Sequence, residues 1–493
     1  MAHKPYILGI DIGTGSTKAV ALGLQGGVLN IAQHYYPVKT PKPGYSEQDP
    51  QVILEAFLGC IADTVKSVGQ PQAISLSSAM HSLMPVGQDG KALTYMMTWA
   101  DARSEDIAEK LRKSGLGKEI YRASGTPIHA MTPLCKIMWL RDNEQELFKR
   151  TFKFISIKEY IWQHLFGDFQ IDHSIASATG LFDIEHLQWN QKACKLAGIS
   201  TEKLSETVKT NYKRNDINPA VAAKLGLDVD TIFVIGASDG CCANLGSYLQ
   251  TGIASLTIGT SGAVRITSRQ RVIDDEAMIF NYIIDEKSFA CGGAVNNGGI
   301  ALDWLLKNFM DVKLPGHDDY QELFERVATI PADSDGLIFL PYLYGERAPI
   351  WDTKTCGVFF NIKPQHTREH FLRAGLEGIC LALNDVLITL ENAAARIDKI
   401  HISGGFTTSA VWTQMLADIT GKELVIMQDG DASAVGAVLL ALKVLEIEAF
   451  PTPEFDRQKN IIPQKENQDI YGNTFKLFKK LYQDLKETMH LLP

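Results

Sequence analysis

The chain has 493 residues, 45% hydrophobic and 21% charged, a globular composition that excludes the disordered and fibrous classes. That length exceeds one ordinary core and predicts two or more domains. The net charge is −9, with 48 Lys and Arg scattered among 57 Asp and Glu. Scattered cations argue against a nucleic-acid surface, which needs them massed, but not against a small anionic substrate, which needs only one or two.

The opening residues MAHKPYILGIDIG run directly into a strand-like stretch with no basic region ahead of a long apolar one, so no signal peptide is expected. No run of about 18 apolar residues occurs, so no membrane span is expected either. The eight cysteines, at 60, 135, 194, 241, 242, 291, 356 and 380, never form a C-x-x-C pair. They read as buried free thiols in a reducing cytoplasm rather than as disulfides or zinc ligands.

GIDIGTGSTKAVAL (9–22) reads as a strand, a Gly-Thr-Gly-Ser turn at 13–16 and a second strand. PQAISLSSAM (71–80) is a strand running into a polar loop. SEDIAEKLRKSG (104–115) is an amphipathic helix with Ser104 as N-cap and a glycine stop. TIFVIGASDG (231–240) is a buried strand ending in a small-residue loop, followed by the helix-like CCANLGSYL. ASLTIGTSGAVRIT (254–267) is a second strand–turn–strand unit. GIALDWLLKNF reads as a helix, DGLIFLPYL as a strand and 368–393 as a long helix. KIHISGGFTTS (399–409) is a strand into a double-glycine turn, and GDASAVGAVLLAL (430–442) a glycine-containing helix. This alternation predicts α/β domains.

The two hairpins form an internal repeat. Ile-Gly-Thr stands at 12–14 and again at 258–260, half the chain apart, so two similar domains facing across a cleft are expected. The boundary falls near 245–252, dividing 1–246 from 247–493. The copies differ in charge: Asp11 and Lys18 flank the first turn, whereas Thr257 and Val264 stand in those places in the second. Four glycine-rich turns follow strands, at 13–16, 236–240, 259–262 and 404–405. Any one alone is most simply a tight turn. Four, two of them with matching hydroxyls, point to phosphate binding, because successive N–H groups form nests for phosphate oxygens. GTGSTK is not a P-loop, and its turn leads into a strand rather than the helix of a dinucleotide fold.

On these motifs the chain resembles the FGGY family of carbohydrate kinases over essentially its whole length. Asp11–Lys18 resembles the first phosphate loop, Thr257–Gly262 the second, Ile402–Gly405 the adenosine motif and Asp431–Gly436 the second connector. SSAMHS (77–82), TWADARS (98–104), GTPIHAMTPLCK (125–136), KFISIKEY (153–160) and DHSIASATG (172–180) look like the substrate domain of the gluconate-phosphorylating branch. Xylulose kinases share the Met-His pair and the connectors. The resemblance implies an α/β fold of two actin-like (ribonuclease-H-like) ATPase domains with the site in the cleft between them. It implies ATP-dependent phosphorylation of D-gluconate to 6-phospho-D-gluconate by in-line transfer, with xylulose or another sugar as the alternative. ATP and Mg²⁺ are the implied cofactors, the location cytoplasmic, and a homodimer is carried over as an expectation.

Roles follow residue by residue. Asp239 stands where the family places its catalytic base; from the residues alone, helix capping is an equal reading. Asp11 is assigned to magnesium, a hard cation that meets few protein carboxylates and keeps its waters. Thr14, Gly15, Ser16, Lys18 and Thr260 are assigned to the ATP phosphates, and Gly299, Asp303, Gly405 and Ser409 match positions around the nucleotide. Met80, His81, Trp99, Asp101, Arg103 and Asp239 match the substrate loops. A sugar acid adds a carboxylate, for which Arg103, Lys158 and Arg347 are the candidate cations. Two other classes fit less well: an actin-like ATP-driven scaffold, disfavoured by the substrate strings, and a sugar sensor without catalysis, disfavoured by Asp11 and Asp239.

Overall fold

A computed structural model describes residues 4–247, 252–309, 317–427, 432–447 and 460–492. Asp431 and part of the expected boundary at 245–252 lie outside these residues. The chain forms two compact units, Met1–Tyr248 with Ser268–Ala290 and Gly430–Glu454, and Leu249–Thr267 with Cys291–Asp429 and Phe455–Pro493.

The first unit is built on a six-stranded sheet. Its strands are β1 (Tyr6–Ile12), β2 (Ser16–Gly23), β3 (Val28–Tyr35), β4 (Ala73–Ser78), β5 (Lys213–Arg214) and β6 (Ile232–Ser238), in the order β5-β6-β4-β1-β2-β3. β1, β4 and β6 are mutually parallel, whereas β1–β2–β3 is an antiparallel meander. Every residue of β1 except Asp11 is buried, as expected for a strand covered on both faces. Tyr6, Leu8, Ile10 and Ile12 join a core with Ile53, Phe57 and Ile61 of the helix Pro50–Val68. Ile7 faces the other way, toward Val438, Ala441 and Leu442 of the helix Ala432–Val444. Each of these large side chains contributes about 1.5–3 kcal/mol by leaving water.

The helices Asp239–Gly246 and Ala432–Val444 touch backbone to backbone. A Cβ on Gly436 would lie 1.8 Å from the Cys242 carbonyl oxygen, so only glycine permits the contact. Cys241 and Cys242 are buried helix residues there, and all eight cysteines are free thiols.

The second unit repeats the scheme with β7 (Ile253–Ile258), β8 (Gly262–Ser268), β9 (Ser288–Val295), β10 (Lys399–Ser403), β11 (Glu423–Ile426) and β12 (Asn460–Ile461), ordered β9-β8-β7-β10-β11-β12. β7 pairs antiparallel with β8 and parallel with β10, as β1 does with β2 and β4. Helices Arg368–Ala393 and Ala410–Thr420 contact one another in this unit. Among the described residues no helix is long and apolar enough to cross a membrane.

The structure revises two expectations. The hairpins are not of equal length: Asp11 pairs with Lys18, and the turn 13–16 is closed by Ile12–Thr17. In the second hairpin Ile258 pairs with Gly262, so Thr257 faces Ala263 rather than Val264. One residue fewer in the turn shifts the register by one. Gly115 also does not stop a helix from 104. The helix Glu105–Arg112 has no side-chain bond from Ser104, whose hydroxyl donates instead to the Ala130 carbonyl. A separate helix, Gly115–Ser124, starts at that glycine with Ser114 as its cap.

Gly436→Ala is expected to lower the thermal midpoint by on the order of 5 °C, because a methyl group driven into a backbone carbonyl costs about 1–3 kcal/mol or more. Gly15→Ala, where a Cβ meets nothing within 4 Å, should leave the midpoint unchanged. Thermal melts followed by circular dichroism decide between them, and equal midpoints would refute the close helix contact.

Candidate active site

In the first unit, three parallel strands end at one edge. Their register aligns Asp11 with Ser77 and Ser77 with Ala237, and Ile12 with Ser78 and Ser78 with Ser238. The segments leaving that edge are therefore the 13–16 turn after β1, Met80–His81 after β4 and Asp239 after β6. Ligands in open α/β sheets bind outside such carboxyl ends.

Asp11 is half-buried and accepts from Ser77 Oγ at 2.8 Å. The turn beyond it is held by its own carbonyls: Tyr36 Oη donates to Gly13 O at 2.7 Å, Tyr36 N to Gly15 O at 3.1 Å, and Gln48 Nε2 to Thr14 O at 2.7 Å. Ser16 Oγ accepts from Gln33 Nε2, and Lys18 is half-buried beside Asp11. Trp99, partly exposed, donates its indole N–H to Thr14 Oγ1 at 3.0 Å. The structure thus joins a residue expected at the sugar to one expected at phosphate.

Asp239 is the first residue of its helix, and the cap is Ser238, whose side chain accepts from Cys241 N. Helix capping, the equal reading of Asp239, therefore falls to its neighbour. Asp239 Oδ1 accepts from Gly240 N at 2.7 Å, and the carboxyl is half-buried.

The substrate-loop residues are more deeply engaged than their sequence positions suggest. His81 is buried at φ 66°, with Nδ1 2.8 Å from Ala178 O and Nε2 3.2 Å from Tyr282 Oη. In the neutral ring these distances correspond to an Nδ1–H donor and an Nε2 acceptor. Met80 packs in the apolar clusters beside it. Asp101 receives Arg103 in bidentate fashion, at 2.8 and 2.7 Å, and also Ser46 N. The same guanidinium reaches Glu47 and lies 3.7 Å from the Tyr45 ring centroid. Lys158 is buried on Asp172 at 2.7 Å and the Ala237 carbonyl. Lys136 is fully buried, with Nζ 2.7 Å from both His81 O and Thr98 O.

In the second unit, Thr260, Gly299, Asp303, Gly405 and Ser409 line one cavity of about 670 Å³. Gly299 N donates to Gly259 O at 2.7 Å, joining two of the segments that form its wall. Gly404 holds φ 112°, and a Cβ there would lie 2.2 Å from the Ile258 carbonyl oxygen, which explains the first glycine of the pair. Ser409 caps the helix Ala410–Thr420 through Trp412 N. Leu302, Phe324, Phe406, Val411 and Trp412 supply apolar and aromatic wall, and sequence reading missed them. The spacing of Leu323, Phe324 and Val327 signals a helix face but carries no mark of a ligand. Arg347 is buried and donates from Nη2 to the Val295 carbonyl at 3.1 Å. Its neighbour Glu346, which burial pushes up, accepts from Asn296 N, Asn297 Nδ2 and Arg347 N. Glu346 thereby orders the segment that leads into Gly298 and Gly299.

Residues 6–246 match the N-terminal domain of the FGGY family of carbohydrate kinases and residues 254–444 its C-terminal domain. The gluconokinase of Bacillus subtilis is 40% identical over 446 residues, covering 89% of this chain and 87% of that protein. The crystal structure of gluconate kinase from Lactobacillus acidophilus superposes with a TM-score of 0.92 at 33% identity, covering 98% of both chains. Ligand-bound xylulose kinase from the same organism matches with the same TM-score, identity and coverage. The chain belongs to the FGGY family of carbohydrate kinases and has that family's two-domain, actin-like α/β fold. It is therefore a carbohydrate kinase, an enzyme class that takes ATP as a substrate.

Burial pushes the Lys136 ammonium down to about 7 from 10.5. Between those pH values the unfolded chain holds a proton that the folded chain has released, so this group makes stability rise with pH across that window. Below about pH 7 both states are protonated and the burial penalty is present in full. Wild type should thus gain thermal midpoint relative to Lys136→Met between pH 7 and 9.5. A constant difference would show that the group does not titrate there.

Proposed function

We propose that the chain phosphorylates D-gluconate with MgATP to give 6-phospho-D-gluconate and ADP. The observation that carries the kinase chemistry is the shared carboxyl edge of β1, β4 and β6, which groups Asp11, the hydroxyl-bearing turn and Asp239. The choice of gluconate rests on the 40% identity to the Bacillus subtilis gluconokinase.

In this reading the substrate's 6-hydroxyl gives its proton to the Asp239 carboxylate as its oxygen attacks the γ-phosphorus in line, and ADP leaves. Ser238 caps the helix, so Asp239 can serve as base without opening a helix end. The adenine and ribose occupy the cavity of the second unit, where Phe324, Phe406 and Trp412 suit a planar ring and Asp303 and Ser409 suit hydroxyls. Thr14, Ser16, Lys18 and Thr260 serve the phosphates.

Magnesium fits the donor set. Among the described residues no group of three or more His, Cys, Asp or Glu could hold a metal. An ion that retains its waters and meets one or two carboxylates plus phosphate needs no such cage. Asp11 would hold it, through water, with Ser77 orienting the carboxylate. When bound, the ion supplies neutralisation of the phosphate charge.

Of the three cations considered for the substrate carboxylate, Arg103 is engaged by Asp101 and Glu47 and Lys158 by Asp172. Arg347 donates to a main-chain carbonyl and lies beside Glu346, and the three remain the candidates for the substrate carboxylate. Xylulose is the second reading, favoured by the equal match to a xylulose kinase structure. A cytoplasmic setting agrees with eight free thiols.

Coupled ADP release should be strong with D-gluconate and weak with D-xylulose, L-ribulose, glycerol or no sugar. A preference for xylulose would discard the gluconate assignment and keep the base. Sugar-independent release would discard both. Asp239→Asn should lower kcat by about 10²–10⁴-fold and leave ATP affinity nearly intact. Unchanged turnover in the purified variant would remove Asp239 as the base.

A further inference from the structure

Lys136 lies in the helix Pro133–Asn143, four residues beyond its Thr132 cap. It is among the largest fully buried side chains of the molecule. A buried ammonium is costly unless its donors are met, and here two main-chain carbonyls accept from Nζ at 2.7 Å each. Those carbonyls belong to two different loops. His81 O lies in the segment leaving β4, at a residue held at φ 66°. Thr98 O immediately precedes Trp99 and also accepts from Asp101 N at 3.2 Å. Trp99 in turn donates to Thr14 in the turn after β1. The main chain already pairs these segments at Leu83 and Met97, at 3.0 and 2.9 Å, and Lys136 adds a second tie at their loop ends, between Met80–His81 and Trp99–Asp101, the latter of which reaches the phosphate turn.

We propose that Lys136 is a positioning residue for the sugar: its buried Nζ donates to the His81 and Thr98 carbonyls and helps hold the two substrate loops at their working distance. The proposal rests on the assignment of those loops to the sugar made above. Lys136 acts through the loops and contacts neither reactant in this account. A methionine matches its length and buries without charge, so the feature that a substitution removes is the bridge. Loss of about 1 Å in the placement of a reacting group can cost on the order of 100-fold in rate, which makes the loop spacing a sensitive target.

The test is steady-state kinetics and direct sugar titration with purified Lys136→Met. The KM and dissociation constant for gluconate should rise about tenfold or more. KM for ATP should rise by a clearly smaller factor than KM for gluconate, because the adenosine cavity lies in the other unit and the loops reach the phosphate turn through the Trp99–Thr14 hydrogen bond. A merely structural role predicts the opposite pattern: a lower midpoint or active fraction with both KM values unchanged. That pattern, or a parallel rise of both KM values, overturns the proposal. Should Lys136→Met be insoluble, Lys136→Gln, neutral but still an amide donor, is read by the same split. A wild type that prefers xylulose sinks the gluconate reading alone, and the split is then read with xylulose. A wild type without sugar-dependent turnover sinks both.

Discussion

The register of three parallel strands governs the first unit. Because β1 and β6 both pair with β4, β6 with a register shift between Val234 and Ala237, Asp11, Ser77 and Ala237 share one level of the sheet. Whatever leaves the strands must emerge at one edge. A slip of one residue in β1 would turn Asp11 into the core and carry Ile10 or Ile12 to the site. Register is secured by burial on both faces: the β1 side chains alternate between the helix Pro50–Val68 and the helix Ala432–Val444. The site is thus a by-product of core packing, and the residue that escapes burial in β1 is its carboxylate.

The two units use one backbone plan for different chemistry. Each starts with an antiparallel hairpin whose first strand pairs in parallel with a later one. In the first, the hairpin is one residue longer and sets Asp11 opposite Lys18. In the second, the shorter turn sets Thr257 opposite Ala263, and Thr257 Oγ1 lies 3.0 Å from Ser403 Oγ across the parallel pair. A charged pair in one and a hydroxyl pair in the other suit a reacting centre and a neutral binding wall respectively.

Much of this was legible in the sequence. The hairpins, the strand before Asp239, the helix 368–393 and the double glycine at 404–405 carry local signals, period-two apolar runs and glycine turns, and each folds as read. The five positions that the family resemblance assigned to the nucleotide in the second half line one cavity. Partners were not legible. His81 looks available past a strand end, yet its ring meets Ala178 and Tyr282, 97 and 201 residues away. Arg103 looks like a cation for a substrate, yet its second carboxylate comes from Glu47, 56 residues upstream. Local pattern reports where a side chain leaves the backbone; long-range packing decides what it meets. The aromatic wall of the cavity was hidden for the same reason, since Phe324, Phe406 and Trp412 read only as core.

The buried charges around the substrate loops fall into two kinds. Lys158 with Asp172 is a compact ion pair, and Arg103 lies between two carboxylates, Asp101 and Glu47. Such pairs fix a loop locally, and a well-packed apolar replacement often matches them in stability. Lys136 differs in having main-chain carbonyls as its acceptors. An ammonium bound in this way draws two backbone segments toward one point, which an apolar side chain of the same volume cannot do.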